Sequence, residues 1–300
     1  MKRKIISQAN QAFTITLPID WVRKHNLTKN SEIDLAIDGK SIRISTDEPV
    51  HGSSVNVNFS DFQTRNIYNH LLALYAKGID EIEITSSKEI SAILVSALNT
   101  LIGFALISQK DNKYIIKDIN PGNYPDLDEI FKRVFQMILL FFDAAVNDIF
   151  GSQSETLETL KSRDLEVNKF CMYLQRAINK MSYDDPIKGR IIFTYSFALE
   201  KLSDEVERLW RTNIKYKVVK NSDIKNLIET SKDGVGLAFS LYYRFEPKNI
   251  EKIYALRDKV REKSLQFKGL NADTTRFVRH VVKVIEEAAD LNHLTLLKNL

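Results

Sequence analysis

Two pairs of carboxylates in the C-terminal half of the chain are spaced for joint chemistry: Glu200 with Asp204, and Glu286 with Asp290. Residues four apart on a helix lie one turn apart on the same face, so each pair would present two carboxylates side by side. Unpaired, such like charges cost about 0.2–0.5 kcal/mol, and a hard or borderline cation reverses the sign by taking oxygen ligands from both. His293, seven positions after Glu286, could add a nitrogen. The same spacing equally permits an ordinary solvated face, with Asp204 pairing to Arg208 and Glu286 to Lys283. Arg190, Glu200 and Asp204 map onto Arg276, Glu286 and Asp290 at one offset of 86 (276 − 190, 286 − 200, 290 − 204). Three matches at a single offset are what an internal duplication leaves.

A second group is basic. Residues 1–31 hold Lys2, Arg3, Lys4, Arg23, Lys24 and Lys29 against Asp20 alone, a local excess of five, whereas the whole chain carries only +4. Arg3, Lys4, Arg23 and Lys24 are candidates for contacts to a phosphate backbone, with some base readout. A soluble basic surface is the plainer account of the same residues.

The elements that must position these groups change character along the chain. In the first 45 residues, turn chemistry alternates with strand-like runs at Lys4–Ser7, Ala12–Leu17, Glu32–Ile37 and Ser41–Ser45. Pro18 opens a short helical turn carrying Trp21 and Val22, and Asp38-Gly39 reads as a hairpin turn. A segment this short cannot bury a core alone, so a second copy is its expected partner. Residues 53–120 read as a small βαβαββ module. Its first helix is expected to be capped by Ser60-Asp61 and ended by Gly78, its second to open with a Ser86/Glu89 capping box. Neither a phosphate-binding glycine loop nor a catalytic triad pattern occurs there, which leaves a packing or small-ligand role.

Pro121-Gly122-Asn123-Tyr124-Pro125 marks a boundary. Beyond it the apolar spacing predicts helices near 126–149, 154–181, 186–214, 222–244, 247–267 and 271–298, two antiparallel three-helix units at 124–215 and 221–300. The fold class expected is therefore multidomain α+β: a β-rich segment at 1–48, the α/β module, then all-α repeats.

Composition narrows the partners. The dense apolar run Met137–Phe142, continued by Ala144–Val146 and broken by Asp143, falls short of the roughly 20 residues that span a membrane. Met1-Lys2-Arg3-Lys4 leads into alternating residues instead of a signal-peptide core, so no membrane insertion and a cytoplasmic location are expected. Cys171 is the single cysteine. It excludes an intramolecular disulfide or a multi-thiolate metal site and reads as a core residue.

Residues 1–45 resemble the AbrB/SpoVT swapped-hairpin family. Phe13-Thr14-Ile15-Thr16-Leu17-Pro18-Ile19-Asp20-Trp21-Val22 looks like its strand, Leu-Pro and Trp-Val helix. Leu27-Thr28-Lys29-Asn30-Ser31-Glu32-Ile33 looks like its turn into the third strand, and Asp38-Gly39 like its closing hairpin. Gln8-Ala9-Asn10-Gln11 departs from the glycine- or serine-rich turn of many relatives. The resemblance implies a homodimer in which two segments, each half of a swapped-hairpin β-barrel, interlace and present basic residues to promoter DNA.

Residues 126–298 resemble the PhoU family of tandem three-helix bundles. Leu199-Glu200-Lys201-Leu202-Ser203-Asp204 and Ile285-Glu286-Glu287-Ala288-Ala289-Asp290 both match its glutamate, two variable positions, small residue, aspartate signature. Asp164-Leu165-Glu166-Val167-Asn168 is similar to the second acidic motif of that family, with asparagine in the place of the last acid. In the second unit only Glu251 and Asp258 stand near, without the motif's spacing. The resemblance implies divalent or iron-type metal ions at Asp164, Glu200, Asp204, Glu286 and Asp290, with a role in phosphate homeostasis. Two functions follow. One is a phosphate-responsive transcriptional regulator acting on DNA as a dimer; the other is an adaptor that inhibits a phosphate ABC transporter or sensor kinase without touching DNA. A carboxylate-bridged metal enzyme of ferritin-like type would need Glu-x-x-His on two helices, and no such pair occurs. The chain is expected not to be an enzyme.

Overall fold

A computed structural model describes residues 2–7, 12–38, 41–46, 53–120, 124, 126–151, 153–180 and 186–300. Mixed α+β as expected, it divides into two compact units, 1–51 and 52–300.

In the first unit, β1 (Ile6–Ser7) pairs antiparallel with β2 (Phe13–Thr14), and β3 (Asp34–Asp38) with β4 (Ser41–Ser45). Between the two ribbons runs the six-residue helix α1 (Ile19–Lys24), entered from Pro18 in extended conformation. Each ribbon has only two strands. The consequence is plain in burial: among the residues of this unit whose burial is described none is buried, and Ile5, Ile6, Phe13, Ile15, Ile19, Leu35, Ile37 and Ile42 are exposed. Strands β1 and β2 are shorter than the predicted Lys4–Ser7 and Ala12–Leu17. The turns at 8–11 and 39–40 lie outside the described residues.

The second unit opens with a four-stranded sheet in the order β5-β6-β8-β7. Its strands are β5 (Ser54–Asn58), β6 (Glu81–Thr85), β7 (Phe104–Lys110) and β8 (Lys113–Asp118). Strands β5 and β6 are parallel and joined through α2 (Thr64–Lys77); β8 runs antiparallel to both β6 and β7. The two-residue β7–β8 turn, Asp111-Asn112, has positive φ at both positions, the conformation that matches the twist of a hairpin. Period-2 alternation sends Ile82, Ile84, Tyr114 and Ile116 into a core with Ile67, Leu71, Tyr75 and Leu94. Gly78, at φ 96°, ends α2 as expected.

The expected caps do not form. Ser60 Oγ donates to Asn58 Oδ1 and accepts from Ser87 N, tying two loops together, and α2 starts only after Gln63. Ser86 and Glu89 accept separately from Lys88 N and Ser91 N, so α3 (Ser91–Leu98) follows Ile90 without a capping box.

The helices α4 (Leu127–Phe150), α5 (Leu157–Lys180), α6 (Pro186–Lys215), α7 (Ser222–Tyr243), α8 (Pro247–Gln266) and α9 (Ala272–Asn299) match the six predicted spans closely. Local capping explains the precision. Asp126, Asn221 and Asn271 accept from Asp128 N, Ile224 N and Thr274 N, and Pro247 opens α8. The breaks at 152 and 181–185 and most of the boundary at 121–125 lie outside the described residues.

Helices α4, α5 and α6 pack on one another, as do α7, α8 and α9, while α6 lies against α9 and α4 against α7. One continuous apolar core unites them, running from Phe131, Phe135 and Trp210 to Phe277, Val281 and Ile285. The α6–α9 contact is antiparallel and nearly two-fold: Tyr195 OH donates to Leu291 O, and His280 Nδ1 lies 2.8 Å from Glu205 Oε2. Shifting Tyr195 and Leu291 by the repeat offset gives Val281 and Glu205 (195 + 86, 291 − 86), one residue from the second contact. The α/β module is clamped to these helices by Arg176 of α5, whose guanidinium reaches Asp80 and Asp118.

Candidate functional site

Glu200 and Asp204 lie on the face of α6 turned towards α5, where Asp164 faces them. Asp164 Oδ1 accepts from Ser203 Oγ at 3.1 Å, and its Oδ2 from Asn168 Nδ2 at 3.1 Å. The charges acting on Glu200 are those of Asp204 and Asp164, both negative. Burial first, then these neighbours, pushes the Glu200 carboxyl up to about 7, and burial with Asp204 pushes Asp164 up to about 6. Asp204 is also raised by burial, less so because Arg208 Nη2 stands 2.6 Å from its Oδ2. That Asp204–Arg208 pair is the one the solvated-face reading expects. Asn168 Oδ1 is buried with no hydrogen-bond partner, and Cys171, fully buried, sits one turn further along the same face of α5.

The second set is built differently. Glu286 pairs with Arg261 of α8, not with Lys283: Arg261 Nε and Nη2 both meet Glu286 Oε1, at 2.8 and 2.7 Å. Arg261 Nη1 is also 4.0 Å from Asp258 Oδ1. Asp290 and His293 are exposed. The arginines of the repeat stay away from the carboxylates in both halves. Arg190 is exposed, and Arg276 stacks on Tyr216 with its guanidinium 4.8 Å from the ring centre.

Asp258, one turn before Arg261 on α8, is exposed and is held by Arg257, whose Nη2 lies 2.8 Å from its Oδ1.

Among the described residues, no three His, Cys, Asp or Glu side chains converge as a group that could hold a metal ion. By chemistry, Asp164 and Glu200 fit an added cation, as hard oxygen donors that repel one another and have only negative charges acting on Glu200, whereas Asp204 is already paired with Arg208. The second does not, because a guanidinium already neutralises Glu286. Further acidic groups on α6 have partners of their own: Glu205 meets Arg208 and His280, and Glu207 meets Arg211.

In the first unit, Arg3, Lys4, Arg23 and Lys24 are all exposed, with Arg23 and Lys24 in the last turn of α1. On the sheet of the second unit, Asn56, Asn58, Glu83, Thr85 and Lys113 line an open depression of about 360 Å³. It has no convergent catalytic groups. No described helix is long and apolar enough to cross a membrane.

The chain matches no family model, and no curated protein matches it significantly.

Proposed function

We propose that the chain is a phosphate-responsive regulator of phosphate homeostasis that binds DNA as a homodimer. Two copies of the N-terminal unit would interlace as a swapped-hairpin barrel, and Arg3, Lys4, Arg23 and Lys24 would contact the DNA. The helical half, read as tandem three-helix repeats, would be the sensor, with Asp164, Glu200 and Asp204 holding a divalent or iron-type cation. The observation that carries this reading is the unfinished first unit: it has eight large exposed apolar side chains and exposed basic residues, and none of its residues whose burial is described is buried. Such a segment gains a core only by association. The desolvated carboxylates of the first half support the sensor, since a bound cation would relieve their repulsion. The link to phosphate rests on the resemblance of residues 126–298 to the PhoU family.

The test is binding of the full chain to duplexes selected from a random-sequence library, measured by fluorescence anisotropy against salt concentration. Changing Arg3, Lys4, Arg23 and Lys24 to alanine should weaken binding, and each lost phosphate contact should lower the salt slope by about one unit. Unchanged affinity and slope would remove these residues from the interface. Inorganic phosphate should shift the wild-type affinity; no shift would remove phosphate from the reading.

A further inference from the structure

We infer that β5 is a pairing edge for a second copy of this chain: two β5 strands join antiparallel about Asn56, and the two four-stranded sheets of a homodimer become one continuous sheet. This rests on the proposed association of two first units and adds a second contact within the same dimer.

Strand β5 is the outer strand of its sheet, and among the described residues no strand pairs with its free side. Backbone parity determines what that side offers. At the two ends of the strand, Ser53 O accepts from Glu81 N and Phe59 N donates to Thr85 O. A parallel ladder repeats every two residues, so the odd positions from 53 to 59 direct their N–H and C=O groups at β6, while Ser54, Asn56 and Asn58 turn theirs outward. Such a row is a template for another strand unless a charge, a proline or a bulge blunts it. The opposite edge is blunted: β7 is bulged between Leu106 and Ser108 and ends on Lys110. Strand β5, Ser-Val-Asn-Val-Asn, carries none of these devices.

Its own sequence is the complement that the free edge fits. A second copy running antiparallel and centred on Asn56 sets Asn56 against Asn56, Ser54 against Asn58 and Val55 against Val57. The outward backbone groups of 54, 56 and 58 then fall in the pairs that exchange both hydrogen bonds. The exposed polar side chains share one face, where no like charges meet. The valines, half-buried at the rim of the sheet's core, cover one another on the opposite face. Two-fold pairing closes on itself, so no third chain adds at β5. A strand of five residues does not hold two chains unaided. The first units supply the tether: β5 begins nine residues after β4 ends (54 − 45), and joining two chains at one place raises the effective concentration of the other.

The test is disulfide trapping in the full chain, oxidised in air and read on a non-reducing gel, with the mass of the wild type measured by light scattering. Cys171 is fully buried and is left in place. Asn56→Cys should run largely as a covalent dimer, because residues in a hydrogen-bonded antiparallel pair have Cα atoms about 5.5 Å apart, within disulfide reach. Asn58→Cys alone should stay at the wild-type background, since two copies of that residue would lie about 14 Å apart along the paired strands. Ser54→Cys co-expressed with Asn58→Cys should cross-link where neither does alone, and this pair serves if Asn56→Cys does not fold. With a dimeric wild type, equal yields from Asn56→Cys and Asn58→Cys, or no gain from the co-expressed pair, would overturn the inference and leave the homodimer standing. A monomeric wild type would remove both.

Discussion

Arg176 and Asp80, 96 positions apart in the chain, meet with Nη2 2.6 Å from Oδ1, and the arginine is only 1% exposed. The same nitrogen reaches Asp118 at 2.8 Å, and the other terminal nitrogen donates to Tyr75 O and Ile79 O. The guanidinium also packs against the edge-to-face pair of Tyr75 and Phe104, 4.9 and 4.8 Å from their ring centres. Lys180 shares Asp80, so the buried network is neutral.

Arg176→Met should therefore destabilise the 52–300 unit by about 3–5 kcal/mol, because Asp118 loses its ionic partner in a buried position and two carbonyls lose their donor. Arg176→Lys should recover little, since an ammonium cannot reach two carboxylates and two carbonyls in a planar fork. Urea unfolding of the full chain measures both. A wild-type midpoint in Arg176→Met would mean that the clamp does not hold the α/β module to α5.

How far the chain could be read in advance follows from how local each signal is. Helix α6 begins at Pro186 and ends within one residue of its expected end, because a proline at the first position and apolar spacing act within one helix. Ser60 went astray because its hydroxyl is used across two loops, by Asn58 and Ser87, where a cap was expected. Glu286 was given Lys283, three residues away on its own helix, while Arg261 arrives from another helix 25 residues earlier. Arg176 carried no linear signal at all: nothing in the sequence around it names Asp80 or Asp118. The carboxylate pairs were visible as spacing, but which of them is neutralised is a property of the packed helices.

Trp210 donates its indole N–H to Asp148 Oδ2 at 2.7 Å, and Asp148 Oδ1 accepts from Ser154 N and Glu155 N. One buried carboxylate thus closes the α4–α5 connection and satisfies a core tryptophan. Asp148→Ala would remove the acceptor that these three donors share and should cost about 2–4 kcal/mol. Asp148→Asn, which keeps an acceptor oxygen, should cost less. Thermal unfolding followed by tryptophan fluorescence reports both; equal losses in the two variants would show that packing volume, not hydrogen bonding, is what the position supplies.

Glu200 and Asp164 tie stability to pH. Their folded pKa values, about 7 and about 6, lie above those of unfolded carboxylates. Between about pH 4 and 7 the folded state binds more protons than the unfolded one, so stability falls as pH rises through that window. The cost is complete above about pH 7 and gone below about pH 4. Glu200→Gln removes the larger share and should raise stability near pH 8 by about 1–3 kcal/mol after allowance for solvent screening, flattening the slope in the window. The measurement is urea unfolding at a series of pH values in the presence of chelator. Parallel curves for wild type and variant would show that Glu200 is not held in a repelling, desolvated site.

The first unit makes the last test. Strand register places Leu35 opposite Ile44 and Ile37 opposite Ile42. Side chains two apart in a strand share a face, so these four residues form one apolar face of the β3–β4 hairpin. Ile37 is 81% exposed, and Leu35 and Ile42 each 64%. At about 25 cal/mol per Å² of apolar surface removed from water, covering this face is worth several kcal/mol per copy, which a monomer forgoes. Leu35→Asp with Ile37→Asp should therefore convert a dimer to a monomer in light scattering, while far-UV circular dichroism of the helical half stays unchanged. Leu265→Asp, at an equally exposed position on α8, should leave the mass unaltered. If the double variant keeps the wild-type mass, this hairpin face is not what joins two chains, and the DNA-contact reading of Arg23 and Lys24 loses its dimeric frame.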